Sequence, residues 1–189
     1  MKDALSEYRI YLYIGNKAKL IRKIFLTNYN MFTYNNRVYE IGLGGENKMW
    51  KYEHMIETEA SAEAIWSLYS DVSTWTKWDT GIEDVELSGS FCDGSFGSIT
   101  PRGQRALIFK LVEVREKECF TDETEIPGAG VTIRFTHRLQ TLENGKTRVI
   151  HQVMMIGPAA DKLGHQIGPE ITSEIPKTMQ ALATVALHM

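Results

Sequence analysis

Between Ile82 and Ile156 the chain offers turn residues at short intervals, and this spacing limits its fold more than anything else in it. Six segments rich in β-branched and aromatic residues run from Ile82 to Leu87, Ser95 to Thr100, Arg105 to Val114, Cys119 to Ile126, Val131 to Gln140 and Lys146 to Ile156. Between them stand Ser88-Gly89, Pro101-Arg102-Gly103, Arg115 to Glu118, Pro127 to Gly130 and Asn144-Gly145. Connections this short join antiparallel neighbours, because a parallel crossover takes a dozen residues or more. The spacing therefore predicts an antiparallel meander whose apolar face needs a cover.

The cover is predicted at the C-terminus. From Pro169 to Met189, Ile171, Ile175, Met179, Leu182, Ala186 and Met189 recur in steps of three and four, one face of a long helix. Pro176 has no N–H for the carbonyl of Thr172, so a kink or short break is expected there. Ala159 to Gly168 reads as a lead-in with a helical turn around Asp161 to Leu163. At the other end, Trp50 to Thr58 reads as a strand with His54 and Ile56 on one side and Met55 on the other. Ser61 follows as an N-cap, with Ala64, Ile65, Leu68 and Tyr69 at helical spacing. Asp71 to Asp79 is a second short helix or turn with Trp75 and Trp78 on a common face. The order gives an α+β fold: a curved antiparallel sheet of about seven strands around a long C-terminal helix, with two short helices after the first strand.

Turn geometry predicts which strand residues face the helix. A two-residue turn at Asn144-Gly145 pairs Leu139 with Ile150, His137 with Gln152, Phe135 with Met154 and Ile133 with Ile156. Centring Arg115 to Glu118 pairs Lys110 with Glu123 and Glu113 with Phe120. A symmetric turn at Pro127 to Gly130 pairs Ile126 with Val131, Thr124 with Ile133, Asp122 with Phe135 and Phe120 with His137. Together these put Leu107, Phe109, Leu111, Phe120, Ile133, Phe135, Leu139 and Met154 on one concave wall. Asp122, Thr124, His137 and Gln152 interrupt it, and His151 falls on the opposite, surface face. Asp122 orienting His137, with Gln152 holding a carbonyl oxygen, would make a general base. The same groups would also satisfy one another inside a sheet, or fix a bound molecule without reacting. Met154, Met155 and Met179 would line a cavity softly or fill a core.

A net charge of −3 and a pI near 6.0 argue against a general nucleic-acid binder. Two cysteines outside any C-x-x-C pattern read as reduced thiols of a cytoplasmic protein. No apolar run reaches membrane-spanning length, and no histidine pair has metal-ligand spacing, so no metal or cofactor is expected. Residues 1–48 stand apart: they hold six of the eight tyrosines, none of the tryptophans, and eight Lys/Arg against four Asp/Glu, which leaves −7 on residues 49–189. Lys17 to Leu26 reads as a short basic helix, and Tyr29 to Tyr39 as a hairpin about Asn35-Asn36. Gly44-Gly45-Glu46 can be encoded by a purine run resembling a bacterial ribosome-binding site just before Met49. The prefix is thus either a mis-assigned start, with Met49 the initiator, or an accessory segment that docks on the domain or a partner.

Trp66, Asp71, Trp75 and Trp78, Gly94 to Gly97, FTDETEIPG at Phe120 to Gly128, FTHRL at Phe135 to Leu139, TRVIHQV at Thr147 to Val153 and IGP at Ile156 to Pro158 occur in order. Through these phrases the chain from Trp50 to its C-terminus resembles the START-like, helix-grip SRPBCC superfamily, in its polyketide cyclase/dehydrase-like branch. The resemblance implies seven strands gripping the C-terminal helix around a cavity for a hydrophobic small molecule, lipid or polyketide-like. It puts Trp75 and Trp78 at the mouth of that cavity. The ligand-facing set then expected is Trp75, Trp78, Leu107, Phe109, Phe120, Asp122, Thr124, Ile133, Phe135, His137, Gln152, Met154, Ile175 and Met179. Two other roles stay open: a cyclase/dehydrase-type enzyme using Asp122 and His137, and an interaction module with a filled core. If Met49 is the initiator, intact-mass measurement on natively expressed protein will lack residues 1–48; a mass that includes them refutes the internal start.

Overall fold

A computed structural model of the chain describes residues 49–189 in full and, before them, the backbone of four short strands. In that prefix β1 (Glu7–Ile14) pairs antiparallel with β2 (Lys17–Phe25), and β3 (Met31–Tyr34) with β4 (Arg37–Glu40). The second pair is the hairpin expected about Asn35-Asn36. The basic helix expected from Lys17 is instead a strand, consistent with the β-forming Ile21, Ile24 and Phe25 and with Gly15-Asn16 between β1 and β2 as a hairpin sequence.

The rest forms β5 (Trp50–Thr58), α1 (Ala62–Ser70), a 3-10 turn (Val72–Thr74), α2 (Trp75–Trp78), and six strands: β6 (Ile82–Ser88), β7 (Phe96–Pro101), β8 (Leu107–Arg115), β9 (Cys119–Ile126), β10 (Val131–Thr141) and β11 (Thr147–Ile156). Two helices follow, α3 (Ala160–Thr172) and α4 (Ile175–Leu187). The strands make one antiparallel sheet in the order β5-β11-β10-β9-β8-β7-β6, so the first strand closes beside the last and β6 is a free edge carrying exposed Glu83, Asp84 and Glu86. Ser61 caps α1 as expected, its Oγ accepting from the N–H of Ala64 at 3.1 Å.

Register is where expectation and structure part. Between β9 and β10 the pairs are those predicted, from Ile126 with Val131 to Phe120 with His137. Between β8 and β9 Lys110 pairs with Glu123, but a bulge between Leu111 and Glu113 then brings Val114, not Glu113, opposite Phe120. Between β10 and β11 the pairing slips by one: Thr141 meets Thr147, Leu139 meets Val149 and His137 meets His151. The loop is longer than two residues. Gly145 N–H donates to the Leu142 carbonyl at 2.9 Å, and Gly145 takes φ +83°, the left-handed residue of a turn ending in a bulge. The slip turns β11 over, so Val149, His151, Val153 and Met155 face the core. Gln152 and Met154 lie on the convex face. There Gln152 donates to Glu53 at 2.6 Å, while Met154 sits between Arg134 and Lys51.

The break expected at Pro176 is present and divides the C-terminal helix in two. Pro176 lies in the first turn of α4, where its missing N–H costs nothing, and the chain breaks just before it, at residues 173–174. The lead-in is a full helix with Pro169 inside it. Gly164 and Gly168 form a groove for an indole ring: a Cβ on Gly164 would lie 2.1 Å from Trp50 Cγ, and one on Gly168 2.3 Å from Trp50 Cζ2. Ile175, Met179, Leu182 and Ala186 of α4 enter the same core as the sheet, as their spacing predicts. Gly164→Ala should therefore lower stability by about 1–3 kcal/mol from overpacking, although Ala is normally the better helix former. Thermal melts of this variant alone and with Trp50→Ala check it, since most of the loss should vanish when the indole is gone.

Candidate functional site

Helical spacing carries Tyr69 from the last turn of α1 into the space between sheet and helices, where it is wholly buried. Its Oη shares a 2.8 Å hydrogen bond with Nε2 of His151, and its carbonyl accepts the Trp75 indole N–H at 2.9 Å. Around it, Phe120 lies edge-on at 5.1 Å, and the His137 ring stacks on Phe120 at 4.1 Å and meets His151 edge-on at 4.3 Å. His54 is the cross-strand partner of His151, so β10, β11 and β5 bring three histidines side by side. Among the described residues no three His, Cys, Asp or Glu side chains converge as metal ligands.

The electrostatics follow from burial. Desolvation holds His137 well below the usual imidazole range, helped by its neighbour His151. His151 is pushed down to about 3, by desolvation first and then by His54. Both rings are neutral at pH 7 and behave as hydrogen-bonding aromatics. Desolvation pushes the Asp122 carboxyl the other way, up to about 7, and the Tyr69 hydroxyl well above its usual range. Among the described residues three buried side-chain nitrogens have no partner: Nε of Arg148 on the convex face and, in the interior, Nε1 of Trp78 and Nδ1 of His137. The two interior nitrogens belong to rings that neighbour Tyr69, whose ring centroid is 6.0 Å from that of Trp78 and 5.5 Å from that of His137.

Of the residues expected to face a ligand, Phe109, Phe120, Asp122, Thr124 and Ile133 are buried on the concave side, with Leu107, Phe135 and His137 there but partly exposed. Ile175 and Met179 face them from α4. Trp75 and Trp78 are 5% and 3% exposed and lie within the core, Trp75 stacked on Phe109 at 6.0 Å. Gln152 and Met154 are on the other face for the reason given above. Asp122 makes no hydrogen bond to His137: its strand neighbours are Leu111 and Phe135, and Phe120 takes the face of the imidazole. The residues missed are Tyr69 and His151. A signal for His151 was present, since the opposite parity of β11 offers Val149, Val153 and Met155 to the core and sets His151 beside His54, already on the inner side of β5.

Several solved structures share this fold. Norcoclaurine synthase from Thalictrum flavum, in complex with dopamine and hydroxybenzaldehyde, superposes with a TM-score of 0.59 at 18% identity, over 75% of this chain and 88% of that one. A hypothetical protein from Helicobacter pylori gives 0.62 at 12%, over 76% and 90%. Ara h 8.0201 gives 0.61 at 11%, over 75% of this chain and 100% of that one. The chain therefore has the helix-grip fold. Among sequences, no family model and no curated protein matches the chain. The helix-grip sheet is complete here, and no described helix is long and apolar enough to cross a membrane.

The titrations have opposite signs. The folded Asp122 carboxyl holds its proton up to about 7, against 3.8 ordinarily, so its contribution is present at low pH and is lost as pH rises between those values. The histidines, depressed in the fold, contribute fully above the unfolded value near 6.5 and lose that contribution as pH falls below it. Asp122→Asn removes only the first effect. Its gain in stability over the parent should grow from near zero at pH 4 to at most roughly 4 kcal/mol at pH 8, as read by denaturant titration across pH. Tyr69→Phe should cost about 1–3 kcal/mol by leaving His151 Nε2 buried without its partner, measurable in the same titration at pH 7.

Proposed function

We propose that the protein binds a small, mainly apolar molecule between the concave face of the sheet and α4, with polar groups of that molecule set against Trp78 Nε1 or His137 Nδ1. The observation that carries this reading is the pair of buried, unpartnered nitrogens in rings next to Tyr69, in a largely aromatic interior. Buried polar atoms are nearly always paired, and ligand sites are apolar spaces with a few placed polar groups. Tyr52, His54, Phe135 and His137 keep partial exposure on the concave face while Tyr69 and Phe120 have none, consistent with residual room beside the histidines. The rings of Tyr69, Trp75, Trp78, Phe109 and Phe120 take up much of the interior, which favours a compact ring-bearing ligand over a long acyl chain.

A second reading, in which the bound molecule also reacts, is favoured by the Asp122 carboxyl. Poised at about 7, it can take up and release a proton near neutral pH. Asp122 and His137, not hydrogen-bonded to each other, would then address the ligand separately, as a carboxylic acid and a neutral imidazole.

Native mass spectrometry of gently purified protein should reveal a co-purifying small molecule, and 1-anilinonaphthalene-8-sulfonate should bind saturably. Trp78→Phe, which keeps the ring and removes the donor, should weaken retention of the co-purified molecule by roughly tenfold. Protein that carries nothing and takes up no apolar probe would instead have a filled core. For the reactive reading, Asp122→Asn should flatten the pH dependence of turnover of an identified substrate near 7; an unchanged profile removes Asp122 from the chemistry.

A further inference from the structure

Away from the His137 interior, a surface cleft of about 460 Å³ lies where the end of α1, the β6–β7 loop and the end of β8 meet. It is lined by Trp66, Ser70, Phe91, Cys92, Asp93, Val114 and Glu116. Its volume falls in the range of small-molecule sites. Phe91 is half-buried, held edge-on against Trp66 at 6.0 Å and against Phe120 at 5.2 Å, so its ring is fixed beneath the opening.

The charges around this ring are one-sided. Asp93 and Glu116 line the cleft, and no Lys or Arg does. The two cations beside Glu116 in the chain are engaged elsewhere: Arg115 with Glu113 and Glu118 at 3.2 and 3.5 Å, and Lys117 with Glu63 at 3.6 Å. Asp93 receives the Val114 N–H on Oδ1, which anchors the loop and leaves its other oxygen free, while Glu116 has no partner among the described residues. An aromatic ring and two carboxylates in the lining of one cleft, with no cation among the described residues beside them in that lining, match one ligand chemistry. We infer that the cleft is a binding site for a small organic ammonium ion with an apolar or aromatic body, its charge held between Asp93 and Glu116 and its body on Phe91. Charge complementarity at the carboxylates and apolar contact with Phe91 act together there. The site is separate from the interior of the proposed function, with Phe91 and Phe120 between them.

Titration of the full chain with benzylammonium, followed by amide NMR, tests it, with benzyl alcohol as the neutral counterpart. The expected result is saturable shifts at residues 91–93 and 116 with the ammonium, at least about threefold weaker binding of the alcohol, and strong weakening by salt. Glu116→Gln, at an exposed turn position, should weaken the ammonium roughly threefold. Asp93→Asn, which keeps the acceptor for Val114, should do likewise, with melting temperatures unchanged in both. Equal binding of the alcohol, or insensitivity to both substitutions, overturns the inference. Shifts confined to the surroundings of Trp78 and His137 would also overturn it while supporting the interior reading, and the two failures are therefore distinguishable.

Discussion

The domain depends on one buried hydroxyl. Tyr69 is the point at which the short helices and the sheet are joined by direction as well as by area: its Oη is bound to His151 of β11, its carbonyl to Trp75 at the start of α2, and its ring to Phe120 and His137 on β9 and β10. Apolar burial would hold these layers together in many rotations. A hydrogen bond in a low-dielectric interior allows few, because the misaligned alternatives leave a donor or acceptor unpaired. Uncharged histidine suits this setting, since it packs as a flat ring and still offers one donor and one acceptor.

The convex face solves the complementary problem. Arg134 donates to Glu123 at 2.8 Å, Arg148 to Glu57 at 2.7 Å and Gln152 to Glu53 at 2.6 Å, all between adjacent strands. Exposed pairs like these add little stability singly. Their position on neighbouring strands matters more, because a one-residue slip would separate each pair and send the histidines outward.

Strands, their order and the α+β class were legible because turn residues and apolar spacing are local properties of the chain. Which side chains face inward was legible only where a turn had one reasonable length. Pro127 to Gly130 did, and every pair across it was anticipated. Asn144-Gly145 permits loops of two or three residues, and that single residue exchanged Gln152 for His151 at the heart of the site. The bulge beside Val112 was invisible for the same reason, since only the partner strand defines it. In α3, the extent of the helix was not legible because the purpose of Gly164 and Gly168 lies far away in sequence, at Trp50. The unpaired nitrogens of Trp78 and His137 are likewise consequences of three-dimensional enclosure, which no spacing rule reports.

The free edge of the sheet has a consequence of another kind. Among the described residues β6 ends the sheet, with β7 as its one strand neighbour, and Glu83, Asp84 and Glu86 stand exposed along it. Two copies approaching edge to edge would bring six carboxylates into a row at strand spacing, where like charges oppose pairing. The acidity of the domain is thus partly a colloidal property: it leaves the edge open in geometry and closed in charge.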